Sequence, residues 1–116
     1  MRLALVAALV LAVSAAPAFA ANDLPAGVEQ LFVCSHVYSL KSQDAQAAGD
    51  EDTSLEFFNM GDVLLFQAQG TLLEAGYTEE QVDSIDANLG LTTGFNYGAG
   101  MGEEMLADCL AAWDSP

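Results

Sequence analysis

Basic side chains are almost missing from this 116-residue chain. It has two, Arg2 and Lys41, against 17 acidic residues, with His36 as the single histidine, for a formal charge of −15. A surface this negative is repelled by phosphate backbones and by anionic headgroups, which excludes nucleic acid and anionic membrane surfaces as partners. Phosphate and carboxylate clamps, which arginine builds best, have no material beyond Arg2. The chain contains no G-x-S-x-G, no H-E-x-x-H and no glycine-rich phosphate loop after a strand. Paired carboxylates can hydrolyse glycosides, but no feature of the sequence fixes two of them at a working separation. The expectation is a protein that is not an enzyme and carries no cofactor.

Long apolar runs are missing too. The longest, Leu3 to Val13, is too short to span a bilayer as a stable anchor, but it follows Arg2 and precedes the small-residue ending Ala18-Phe19-Ala20. Residues 1–20 therefore read as a cleavable signal peptide, with the mature chain starting at Ala21. The expectation is export to the periplasm or beyond as a soluble protein, with residues 21–116 forming a single helical domain. Losing Arg2 leaves Lys41 alone against 17 carboxylates, a formal charge of −16. Despite that charge, the mature part is rich in Leu, Phe, Val and Ala, which argues for a folded core rather than disorder.

Cysteine is scarce: Cys34 and Cys109 only. An oxidising compartment favours pairing them, and two cysteines allow one intramolecular bridge. The chain-entropy argument assigns such a bridge about 4 kcal/mol, a large share of the stability of a domain this small. The alternative is that Cys34-Ser35-His36 forms a thiolate and base pair or a metal site. On a helix, positions 34 and 36 lie about 200° apart around the axis, so the two side chains leave on opposite sides. His36 then reads as a surface or helix-packing residue.

What the mature sequence does have is helical punctuation. A first helix is expected from near Pro25 to about Ala47, with Gly49 beyond its end. Leu31, Cys34 and Tyr38 line one of its stripes, and Val33, Val37 and Leu40 another, so it should be covered on two sides and lie at the centre. Thr53 and Glu56 have the spacing of a capping box for a second helix, in which Phe57, Gly61, Leu64, Leu65, Ala68, Leu72 and Ala75 recur at helical spacing up to Gly76. Thr78 with Gln81 repeats the capping pattern, Tyr77 and Val82 sit where a hydrophobic staple forms, and Val82, Ile85 and Leu89 make a short stripe. Glycines at 90, 94, 98, 100 and 102 either make a bare helical face or break the helix. At about 1 kcal/mol per helical glycine, a mobile or partly helical connection over 90–102 is the expectation. A last helix from Glu103 carries Met101, Met105, Cys109 and Ala112 on one face. The expected fold class is all-α: a small four-helix bundle closed by the Cys34–Cys109 disulfide.

Much of the acid has a structural use. Asp50, Glu51, Asp52, Glu56, Glu79, Glu80, Glu103 and Glu104 cluster at helix starts, where negative charge favours the helix dipole. The missing cations have no such explanation, and point to a saline habitat, bound cations or a basic protein partner. Asp50, Asp52 and Glu56 are weak metal candidates. They alternate as in a calcium loop, but Leu55 stands where glycine is required and Gly61 where a bidentate glutamate belongs. Met101 and Met105, with Met60 or His36, have the softness for Cu(I), although methionine at helical spacing commonly fills core gaps.

Three functions remain. The first is a non-catalytic binding or inhibitor-type module for a basic macromolecule. The second follows from layout: signal peptide, short helical domain and one long-range disulfide resemble the periplasmic acid-stress chaperones of enteric bacteria. That resemblance implies loosening and exposure of apolar faces when carboxylates protonate near pH 4 or below. The third is a cation or metal carrier.

Overall fold

The computed structural model describes residues 24–114; the signal-peptide reading of residues 1–20 lies outside them. Every regular element among the described residues is helical. Helix α1 spans Val28–Ala47, α2 Glu51–Glu74, α3 Glu79–Asn96 and α4 Gly102–Asp114, with a π-helical turn, Tyr97–Met101, joining the last two.

The boundaries follow local chemistry. Gly49 (φ 80°) and Gly76 (φ 98°) take the left-handed conformation just past α1 and α2, which only glycine adopts at little cost. Thr78 caps α3 as expected. Its hydroxyl accepts from the Gln81 N–H at 3.1 Å, and the Gln81 side chain accepts from the Thr78 N–H at 2.9 Å. At α2 the cap differs from the expected Thr53–Glu56 pair. Asp50 is the N-cap and accepts from both the N–H and the hydroxyl of Thr53, because the helix starts one turn earlier, at Glu51.

The expected four-helix bundle needs correction. The described chain makes three helical stretches with no loop inside them, because the third runs from Glu79 through the π turn into α4, bent at Gly100, where a connection was expected over residues 90–102. The interruption shrinks to Gly100, whose left-handed backbone (φ 100°) ends one helical stretch and turns the next back along α1: Asp86 and Tyr97 meet His36 and Asp44 in ascending order, whereas Glu103 and Cys109 meet Lys41 and Cys34 in descending order. Two of the glycines have packing reasons to be there. A Cβ on Gly90 would lie 2.9 Å from the His36 ring, and one on Gly102 3.0 Å from the Tyr97 ring.

Helix α1 is central, as its two-sided pattern indicates, and the core falls into two parts along it. Near its start Val28 and Phe32 pack with Ala68, Leu72, Val82 and Ile85 of α2 and α3. Further on, Cys34, Val37 and Tyr38 pack with Leu64 and Cys109, flanked by Phe57, Met60, Met105 and Leu106. Gly61 sets the closest approach of α1 and α2: a Cβ there would lie 3.0 Å from the Ser35 carbonyl oxygen. The Ser42 hydroxyl closes the same interface by donating to the Ser54 carbonyl at 2.7 Å.

Candidate functional site

The two cysteines are bonded to each other, with Cα atoms 5.6 Å apart and 75 residues between them in sequence. Both are buried. They tie α1 to α4, and no thiolate is left for chemistry.

His36 leaves α1 on another side and reaches α3. Its Nε2 lies 2.7 Å from Asp86 Oδ1 and 3.2 Å from the Asp86 carbonyl oxygen, with the ring seated on the bare Cα of Gly90. Ser35, the neighbouring hydroxyl, donates to Phe32 O at 2.7 Å instead of meeting the imidazole. The pair thus holds α1 and α3 together. A shallow cavity of about 170 Å³ adjoins it, walled by Ser39, Phe58, Gly61, Asp62 and Leu65.

Lys41 is spent in a second crosslink. Its Nζ lies 2.7 Å from Glu103 Oε1, and it sits over the Tyr97 ring, 5.6 Å from the centroid. The bond to Glu103 holds the ammonium charged to higher pH than usual. Tyr97 donates its hydroxyl to Asp44; burial first, then that carboxylate, pushes its pKa up.

The weak metal candidates do not converge. Asp50 is occupied with Thr53, whose hydroxyl and N–H hold its carboxyl below the usual range, while Asp52 and Glu56 are exposed along α2. No group of three or more His, Cys, Asp or Glu side chains among the described residues is placed to hold a metal ion. Met105 packs into the core beside Cys109, as does Met60, while Met101 is exposed.

The feature with most capacity to bind lies on the far side of α2. Gly61, Leu64, Ala68 and Leu72 face the core. Roughly 140° around the axis lies a second stripe of Leu55, Phe66 and Leu73, flanked by Phe58 on one side and Val63 on the other, all exposed, with Phe66 80% accessible. Asp52, Glu56, Asp62 and Glu74 are exposed on the same outer side. At its edge, Val63 opens onto an apolar groove of about 330 Å³ between α2 and the end of α4, lined by Tyr38, Met60, Leu64 and Trp113 with Asn59 at its rim. An aromatic at 80% exposure is a standing hydration penalty, and covering a side chain of this size contributes about 2 kcal/mol. Sequence reasoning identified the inner stripe of α2 and missed the outer one. The signal was present, since α2, like α1, is apolar on two sides.

Comparison with protein-family models, with characterised proteins and with solved structures gives no match for this chain.

Proposed function

We propose that this is an exported, non-catalytic binding module whose ligand is a basic amphipathic segment of another protein, docked along the outer face of α2. The observation that carries the reading is the interleaving of Leu55, Phe58, Val63 and Phe66 with Asp52, Glu56 and Asp62 on one exposed helix face. Apolar side chains at helical spacing call for a complementary apolar strip, and the carboxylates beside them call for Lys or Arg at its margins. Lys41, the one lysine, is already held by Glu103, so nothing of its kind is left to neutralise the face from within. The groove at Trp113 offers an anchor pocket for a large apolar residue of the partner.

Export is supported by the form of residues 1–20 and by the Cys34–Cys109 bridge, which persists in an oxidising space. Among the described residues no helix is long and apolar enough to cross a membrane.

The test is a titration with a fluorescent Leu/Lys amphipathic peptide, followed by anisotropy at low and moderate salt. Binding that weakens as salt rises, and that falls at least about tenfold in Phe66→Ser, supports the proposal. Equal binding of a Leu/Gln peptide, or an unaffected Phe66→Ser variant, overturns it.

The exposed aromatic stripe also suits a second role, as an acid-stress chaperone that gathers unfolded clients. This reading requires suppression of client aggregation at about pH 2 to 3, where carboxylates are protonated. A client that aggregates equally with and without the protein at that pH removes it.

A further inference from the structure

Helix α3 also has an apolar face turned away from the core. Val82, Ile85 and Thr93 point inward, whereas Leu91 and Phe95, one turn apart, are 75% and 76% exposed. Its setting differs from that of α2 in one respect. From Ala87 to Gly102 the chain has no charged residue at all, the longest such stretch among the described residues. The nearest acids on α3 are Glu80 and Asp83 at its start and Asp86, which is held by His36. Beside the two apolar side chains, Gly94 and Gly98 have nothing within 4 Å of where a Cβ would lie.

We infer that the charge-free outer face of α3, centred on Leu91 and Phe95, is a self-association surface that seats the same face of a second copy of this chain. Two copies, each with 17 carboxylates and Lys41 as the one basic side chain past residue 20, repel one another wherever their acidic surfaces meet. The stretch 87–102 is where a second copy can approach with least like-charge opposition. A basic partner gains nothing from that face, because no carboxylate within it can accept a cation. A two-fold arrangement satisfies it, since each copy presents the identical Leu91–Phe95 ridge and the bare Gly94 beside it. The area is small. Two large apolar side chains per copy place the contact below the range of stable specific interfaces, so the dimer is weak and concentration-dependent.

This inference stands apart from the α2 reading, and its salt dependence has the opposite sign. Screening removes repulsion between two acidic copies, so added salt strengthens the dimer.

Sedimentation velocity on the processed full chain, over a concentration series at low and high salt, tests it. The expected result is a weight-average sedimentation coefficient that rises with concentration, more steeply at high salt. Phe95→Glu should raise the dimer dissociation constant at least about tenfold with an unchanged melting curve, and Leu91→Gln should do the same to a smaller degree, while Phe66→Glu dimerises like the parent. Gly94→Ala, which has room for its methyl and favours the helix, is expected to raise the melting temperature and to weaken the dimer. A chain that stays monomeric at the highest concentration and salt overturns the inference. So does a dimer abolished by Phe66→Glu and kept by Phe95→Glu.

Discussion

The outer faces of α2 and α3 share their apolar character and differ in what surrounds it. Along α2, Leu55, Phe58 and Phe66 alternate with Asp52, Glu56 and Asp62; around Leu91 and Phe95 of α3 there is no charge from Ala87 to Gly102. Apolar area alone gives both faces a reason to be covered, but it does not choose the cover. The charge pattern does, by favouring a cation-bearing partner on one face and penalising an acidic copy least on the other.

The strongest way to disturb the comparison is to cut the disulfide, because it acts on one face only. Cys109→Ser releases α4, and with it the Trp113 wall of the groove beside Val63, whereas the packing of Val82 and Ile85 under α3 belongs to the other part of the core. The expected loss is about 4 kcal/mol, read as a fall in melting temperature on the order of 20 °C. Below the new transition, peptide affinity should fall while dimerisation persists. Next in size, Phe66→Ser should cost the basic segment about 2 kcal/mol in affinity with no loss of fold stability, since the ring has little protein around it. A drop in melting temperature of more than a few degrees would mean that this ring is part of the fold.

Smaller effects come from the caps. Thr78→Ala removes one half of the reciprocal pair with Gln81 and should destabilise by about 1 kcal/mol, with faster amide exchange confined to the first turn of α3. The smallest belongs to Asp50. Its carboxyl is held below the ordinary range by Thr53, so the cap stabilises above the pKa of the unfolded chain and is lost as the pH falls through the folded value. Amide exchange at Thr53 should therefore accelerate below about pH 4 in the parent and lose that dependence in Asp50→Asn. An Asp50→Asn profile identical to the parent would assign the acid sensitivity to other carboxylates.

The legible parts of this molecule were local or covalent. The Thr78–Gln81 cap, the stops at Gly49 and Gly76, the inner stripe of α2 and the cysteine pairing each depend on spacing within a few turns or on simple arithmetic. The connection over 90–102, expected to be mobile or only partly helical, is helical for a tertiary reason. Glycine's helix penalty was weighed in isolation, whereas Gly90 and Gly102 give room to His36 and Tyr97, whose contacts with Asp86 and with Asp44 and Lys41 hold both helical stretches against α1. Those partners lie some fifty residues away in sequence, beyond any periodicity. Phe32 and Thr93, both fully buried, were missed for different reasons: Phe32 lies outside the two stripes marked on α1, whereas Thr93 continues the Val82–Ile85–Leu89 stripe but is polar and falls in the segment expected to be a connection. The outer faces went unread because a pattern shows which residues are apolar and not which of them a neighbour will cover.

A single salt series measuring both associations tests the central claim that charge selects the occupant of each apolar face. From about 10 mM to about 150 mM salt the Debye length falls from about 30 Å to about 8 Å. Over that range the affinity for the Leu/Lys segment should fall while the dimerisation constant rises. Two slopes of the same sign would contradict the account.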